Sequence, residues 1–195
     1  MNVTIGHEMM MPPTSPADLA RYEGRILQTL RELGLPESLA KTRRQAMQLE
    51  CENANMVSIG LDLVGREQRL ERQTAERWFA MQAAAERDGV VFGIVSAFRG
   101  FNYQRGIIAR KLAAGQSVEQ ILAVSALPGF SEHHSGRAVD VGTTGCPHLT
   151  DEFEKTAAFS WLTRHAGDFG FQLSYPRGNP HGVVFEPWHW LFSGP

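Results

Sequence analysis

The residues best equipped for chemistry fall in two short stretches. The first, Ser131-Glu132-His133-His134-Ser135-Gly136-Arg137-Ala138-Val139-Asp140, carries two adjacent imidazoles and ends on the carboxylate of Asp140. The second, Glu186-Pro187-Trp188-His189, places a carboxylate three positions before another imidazole. Two imidazoles and one carboxylate can complete a metal triad, and the remaining carboxylate can stand beside it as a base. That is the donor set of a catalytic zinc site, in which three protein ligands leave a fourth position for water. The reaction class it points to is hydrolysis of an amide bond by metal-activated water.

The spacing is compatible with convergence. Six residues separate His133 from Asp140, and Gly136 between them permits a sharp reversal. Asp140 lies in the alternating run Ala138-Val139-Asp140-Val141, which aims it away from its apolar neighbours. A carboxylate at the inner end of a strand needs a metal ion or an arginine, because an unpaired buried charge is costly. His134 is the rival of His133, since adjacent residues on an extended chain face opposite ways and only one can easily be a ligand. Glu186 and His189 would face opposite sides of a regular strand. Pro187 cannot donate a ladder hydrogen bond, which predicts an irregular turn that brings both side chains to one side. Trp188 and Trp190 then flank the site, as packing or as a wall. Arg99 follows an apolar run, where it is either a surface arginine or an oxyanion stabiliser or carboxylate clamp. Gln104, five residues on, could line the same cleft.

The elements that must position these residues read as a mixture of helices and late-clustered strands. Residues 1–16, rich in Met, Pro and Thr, read as a loose leader. Helical spacing predicts a helix from Pro16 to about Leu33, with Ser15 as its cap and Gly34 as its stop, and a second helix over 37–50. Residues 55–65 alternate as a strand, and a long helix is expected from Arg66 to about Asp88, ended by Gly89. Val90–Phe98 reads as a central strand and Phe101–Ala114 as a helix. A short helix over 118–123 is capped by Ser117. Ala138–Val141 is expected as a strand, 153–166 as a helix and 169–190 as a hairpin turning at Pro176–Pro180. This order predicts an α+β fold with a small antiparallel sheet and flanking helices.

The bulk properties narrow the function classes. The chain has 195 residues, 43% hydrophobic and 21% charged, which suits one well-filled core. A net charge of −2 and scattered basic residues argue against a nucleic-acid partner. No stretch is long and apolar enough to span a membrane. Met1–Met11 has no basic start leading into an apolar run, and Pro12-Pro13 interrupts it. A cytoplasmic location is expected on that ground, with a periplasmic one left open. Cys51 and Cys146 match no metal spacing and are expected as free buried thiols. Oligomeric state is not legible.

Several motifs taken together resemble a known family. Ser96-Ala97-Phe98-Arg99 with Gln104, Pro128-Gly129-Phe130 leading into the Ser131–Asp140 stretch, Trp161-Leu162, Phe169-Gly170-Phe171, Ser174-Tyr175-Pro176 and Glu186-Pro187-Trp188-His189-Trp190 look like the VanY-type D-alanyl-D-alanine carboxypeptidases. These belong to a zinc peptidase group that includes the VanX-type D,D-dipeptidases and shares its core with hedgehog signalling domains. The resemblance covers about residues 75–192. It implies His133, Asp140 and His189 as ligands of Zn2+, Glu186 as the base, and Arg99 near the scissile carbonyl. Ser131, Gln104, Ser96 and Trp188 are then the expected substrate contacts. One departure is Leu191, where relatives often carry an arginine.

On this basis residues 1–74 are expected to be a leader and helical arm, and 75–195 a hedgehog/D,D-peptidase-like catalytic domain, together one compact unit. The expected activity is zinc-dependent removal of the terminal D-alanine from a peptidoglycan-derived peptide ending in D-Ala-D-Ala. An L,D-carboxypeptidase or a D,D-dipeptidase shares the same triad. From another class, a non-catalytic zinc-stabilised binding module would need neither Glu186 nor Arg99, and would close its metal with a fourth protein ligand such as His134.

Overall fold

The computed structural model of the protein describes residues 15–194. The expected leader lies outside them apart from Ser15 and Pro16, as does the N-terminal stretch bearing on location. Among the described residues, no helix is long and apolar enough to cross a membrane.

Helix α1 (Pro16–Glu32) begins as its sequence dictates. Ser15 accepts a hydrogen bond from the Asp18 amide, and Gly34, at φ +69°, turns the chain out of the helix. The helix expected over 37–50 shrinks to α2 (Ser38–Thr42). The following segment gives its backbone donors to a distant loop instead: Gln48 N–H to Gly129 O at 2.8 Å and Cys51 N–H to His134 O at 2.7 Å. Tertiary hydrogen bonds override the modest helical preference of this stretch.

The next correction has the same character. Strand β1 (Met56–Leu61) pairs antiparallel with β2 (Glu67–Glu71), so the helix expected from Arg66 starts later, as α3 (Arg72–Arg87). The Asp62 carboxylate accepts from the backbone N–H groups of Val64 at 3.0 Å and Arg66 at 2.8 Å, which reverses the chain there. Glu71 then caps α3 by accepting from the amides of Gln73 and Thr74.

A four-stranded antiparallel sheet carries the rest. Its strands are β3 (Gly93–Ser96), β4 (Ala138–Gly142), β5 (Phe171–Leu173) and β6 (His189–Phe192), in the order β3-β4-β6-β5. The run expected as a central strand is therefore an edge. The edge is covered: Leu63 N–H donates to Ile94 O at 2.9 Å, Phe98 N–H to Arg69 O at 3.1 Å, and Ala97 N–H to the Gln68 side chain at 2.9 Å. The central place goes to β4, every residue of which is buried. The expected hairpin over 169–190 is also looser. β5 and β6 do pair, but β6 starts only at His189, and Pro176, Pro180 and Pro187 keep the connection out of the ladder.

Helix α6 (Ala157–His165) packs with the sheet, while α4 (Phe101–Ala113) and α5 (Val118–Val124) pack with α1. The start of the helix expected over 153–166 is a 3-10 turn, Asp151–Lys155, after which Thr156 caps α6. Two apolar clusters result. One joins Leu70, Trp78 and Met81 to Val139, Val141 and Trp190; the other joins Ile26 and Leu30 to Phe101, Ile108, Leu127 and Phe130. A division at residue 74 falls inside α3, where Thr74 and Ala75 are both buried. Cys51 and Cys146 are free, and half-buried rather than buried.

The loop from Leu127 to Ala138 leaves one cluster and enters the other, and Gly136 makes this possible. It sits at φ +70°, and a Cβ there would lie 2.9 Å from Met56 Sδ and 3.0 Å from the Glu71 amide nitrogen. Gly136→Ala should destabilise the fold by about 1–3 kcal/mol, from left-handed strain alone, and lower the thermal midpoint in a melting experiment. An unchanged midpoint would show that the reversal tolerates a side chain.

Candidate metal centre

The sheet register brings the ligands together before any side-chain chemistry enters. Asp140 on β4 stands directly across the ladder from His189, the first residue of β6. Cross-strand partners are close neighbours on one face. The third residue, His133, arrives on a 3-10 turn, Glu132–Ser135, which Gly136 ends in the left-handed conformation. Donor atoms of His133, Asp140 and His189 all lie within 4.8 Å of one another, and all three residues are buried. Asp140 Oδ1 is 3.3 Å from His133 Nε2 and 3.0 Å from His189 Nδ1.

Hydrogen bonds on the far sides of the rings assign the tautomers. His133 Nδ1 lies 2.6 Å from Ala97 O, so it carries the proton and leaves Nε2 bare. That Nε2 is buried and has no hydrogen-bond partner. His189 Nε2 lies 2.8 Å from the Glu132 carboxylate and Nδ1 3.0 Å from Asp140 Oδ1, so Glu132 retains the Nε2 proton and Nδ1 is the nitrogen that a metal ion would take in place of its proton. A buried imidazole nitrogen with an unused lone pair, one carboxylate oxygen and a second imidazole nitrogen suit a divalent metal ion, which would also neutralise the surplus of carboxylates.

His134 does not share in this. Its Nδ1 lies 2.6 Å from Arg99 O, and its Nε2 accepts from the Gly129 amide at 3.0 Å. Both ring nitrogens are committed to backbone, so the rivalry between the adjacent histidines is settled by hydrogen bonding. Among the described residues the metal-type cluster holds three members.

The ionisation states follow from burial and partners. Burial holds the imidazolium of His133 down to about 4, helped by the Arg99 guanidinium, so the ring is neutral near pH 7. Burial opposes charge on Asp140 as well, but His133, His189 and Arg99 outweigh it and hold the carboxyl well below its ordinary value. Burial opposes charge on His189 too, yet its bonds to Asp140 and Glu132 raise it to about 10. For Glu186 burial prevails and pushes the carboxyl up to about 7.

Glu186 reaches the centre through the irregular turn that Pro187 predicts. His189 N–H donates to Glu186 O at 3.1 Å, and the Glu186 carboxylate comes to 4.0 Å from His189 Nδ1. Arg99 lies where β3 has ended, with its guanidinium 3.5 Å from Asp140 Oδ2. A cleft of about 350 Å³ opens over these groups. Ser131, Gln104 and Trp188 line it as well; Ser131 and Gln104 are buried. Ser96 does not. It pairs with Asp140 after a bulge between Ile94 and Ser96, and it lines the neighbouring groove with Arg66 and Tyr103. Leu191 pairs with Ala138 on β4 and is absent from the cleft lining.

Glu132, Tyr175, Gln45 and Lys111 also line the cleft, and the sequence reading gave none of them a role. Glu132 stood inside the motif, but nothing in a lone acid beside two histidines shows that a 3-10 turn will send it to His189. Tyr175 packs its ring 4.8 Å from that of His189, and burial pushes its phenol up. Gln45 comes from the extended segment after α2 and lines the cleft with Tyr175. Its carbonyl oxygen and that of Gln104 are buried without a partner. Lys111 comes from α4. Gln104, Ile107 and Lys111 do recur at helical spacing, a signal available in the sequence.

Comparison with known proteins places the chain among zinc-peptidase relatives. The family model described as VanY, D-alanyl-D-alanine carboxypeptidase, matches residues 67–195. A D-alanyl-D-alanine carboxypeptidase of Enterococcus faecium is 30% identical over 129 residues, covering 64% of this chain and 38% of the relative. One from Enterococcus faecalis is 31% identical over 121 residues, covering 57% and 43%. The chain thus spans less than half the length of the curated relatives it matches. Among solved structures, the LD-carboxypeptidase LdcB aligns with a TM-score of 0.66 at 26% identity, over 73% of this chain and 70% of that one. The vancomycin-resistance D,D-pentapeptidase VanY, solved in complex with Zn(II), aligns with a TM-score of 0.54 at 27% identity, over 77% and 81%. Gln45 falls outside the residues that the family model matches.

The hydrogen-bond pattern separates ligands from supports by experiment. His133→Ala should abolish metal binding, whereas His134→Ala should retain one metal per chain at reduced thermal stability. Glu132→Ala should bind the metal about 10- to 100-fold more weakly, the usual cost of losing a carboxylate behind a histidine ligand. Elemental analysis and chelator competition on the purified variants check all three. Metal lost from the His134 variant but kept by the His133 variant would reverse the assignment.

Proposed function

The chain belongs to the VanY family of D-alanyl-D-alanine carboxypeptidases, and we propose that it is a zinc-dependent carboxypeptidase acting on peptidoglycan stem peptides that end in D-Ala-D-Ala. The observation that carries this reading is the convergence of one bare buried imidazole nitrogen, His133 Nε2, with Asp140 and His189, beside a protonatable Glu186. His133, Asp140 and His189 would hold the zinc. Two imidazoles and a carboxylate are a common catalytic set for that ion, with a position left for water or substrate. Zinc bound there supplies a Lewis acid that acidifies water and polarises a carbonyl.

The remaining chemistry belongs to the chain. Glu186 takes the proton from the attacking water and returns it to the nitrogen of the departing D-alanine. A carboxyl pushed up to about 7 is suited to both directions of transfer near neutral pH. The Arg99 guanidinium, held beside Asp140, stands over the cleft where the scissile carbonyl oxygen gathers negative charge. Asp140 keeps that guanidinium in place. Glu132 keeps the His189 ring turned with Nδ1 inward. The partnerless carbonyl oxygens of Gln45 and Gln104 are acceptors for substrate N–H groups. A structural zinc site would need a fourth protein donor, and His134 has no free ring nitrogen.

Incubating the zinc-loaded protein with a mixture of stem pentapeptide and tetrapeptide, followed by mass analysis, tests the proposal. The expected result is loss of one alanine from the pentapeptide. Alanine lost from the tetrapeptide alone would identify an L,D-carboxypeptidase, and two unchanged peptides would refute the assignment. Glu186→Ala should keep its metal while turnover falls about 100-fold or more.

A further inference from the structure

The cleft contains a cation that the metal centre does not use. Besides the histidines, Arg99 and Lys111 are the basic residues of its lining. Arg99 is engaged with Asp140. Lys111 lies on the face of α4 that also presents Gln104 and Ile107 to the cleft, and it has no carboxylate partner among the described residues. Its ammonium donates to Ser125 Oγ at 2.7 Å, and Ser125 lines the same cleft. With its oxygen occupied in this way, the Ser125 hydroxyl can turn its own proton outward. Ammonium and hydroxyl together then present two donors, which matches the two oxygens of a carboxylate.

The charges around Lys111 show which end of a substrate would reach it. Burial pushes its pKa down, the field of Glu186 pulls it up, and Arg99 pushes it down again. Lys111 therefore lies within electrostatic reach of Glu186. Glu186 hands its proton to the leaving amine, and in a carboxypeptidase that amine belongs to the terminal residue. The terminal carboxylate is attached to the same α-carbon, so it must settle near Glu186. Glu132, Asp140 and Glu186 would otherwise repel it, and a partly dehydrated ammonium without a counter-ion is the group that gains most from its arrival.

We propose that Lys111, with Ser125, is the subsite that receives the free C-terminal carboxylate of the substrate and so restricts cleavage to the last peptide bond. The proposal rests on the carboxypeptidase reading for its direction, since the leaving residue must be the terminal one. It separates positions along the cleft: Arg99 serves the reacting carbonyl, and Lys111 serves the chain end beyond it.

The test is a binding measurement that needs no turnover. Zinc-loaded Glu186→Gln protein is titrated calorimetrically with N-acetyl-D-Ala-D-Ala and with its C-terminal amide. With Lys111 present the free acid should bind about 10- to 100-fold more tightly, the range for a hydrogen bond to a charged group. Adding Lys111→Gln should bring acid and amide to equal affinity, and Lys111→Arg should keep the preference. An equal affinity in the single variant, or a preference surviving Lys111→Gln, overturns the proposal. Wild-type protein given pentapeptide in parallel reports on the reaction itself. If it releases no D-alanine, the carboxypeptidase reading fails while the titration still decides whether Lys111 binds the carboxylate. In an active enzyme, Lys111→Gln should raise KM about 10- to 100-fold and leave kcat within about twofold. A fall in kcat at constant KM would assign Lys111 a different role.

Discussion

A carboxylate that is 2% exposed stands in the central strand of the sheet, and the rest of the site is arranged to make that tolerable. Asp140 could not remain ionised among apolar neighbours without compensation. Two imidazoles and a guanidinium supply it, each delivered by a different part of the chain. His189 comes from the adjacent strand β6, His133 from the turn before β4, and Arg99 from the segment after β3. The same arrangement makes the centre attractive to a cation, because Glu132 and Glu186 stand close by and the imidazole of His133 is neutral.

The short segment after β3 works as a spine for the metal centre. Ala97 O orients His133, Arg99 O holds His134, and the Arg99 amide donates to His133 O at 3.2 Å. One stretch of backbone thus decides which of two adjacent histidines faces the cleft. The N-terminal part of the chain braces this loop from the other side, through Gln48 and Cys51 and through Ile26, whose side chain occupies the space a Cβ on Gly129 would need. Outside the family-matched span, this part still contributes a cleft residue, Gln45. Its role is therefore positional as well as structural.

The division of labour between base and ligand depends on one irregularity. A regular strand through Glu186 and His189 would separate them to opposite faces. Pro187 interrupts pairing, a turn closes from Glu186 O to the His189 amide, and β6 begins only at the ligand itself. The burial that follows gives Glu186 a proton affinity near neutrality, which the ladder geometry alone would not provide.

Sequence alone determined the chemical inventory and the local punctuation. Residue types settle which groups can bind a metal, and caps such as Ser15, Ser117 and Gly34 act through bonds to their immediate neighbours, so they were legible without a fold. The irregular turn at Pro187 was legible for the same reason, since a missing N–H is a property of one residue. Tertiary structure decided where competing local options were close in energy: the hairpin in place of a helix at Arg66, the extended segment after Thr42, and the edge position of β3. It also decided every assignment that depends on what lies across space. Glu132 behind His189, His134 bound to backbone, Ser96 paired with Asp140 after a bulge, and Lys111 bonded to Ser125 in the cleft are all pairings between residues far apart in the chain or between side chain and distant backbone. Such pairings form only when non-local hydrogen bonds and burial outweigh local preference, and a linear pattern of residue types holds no record of that balance.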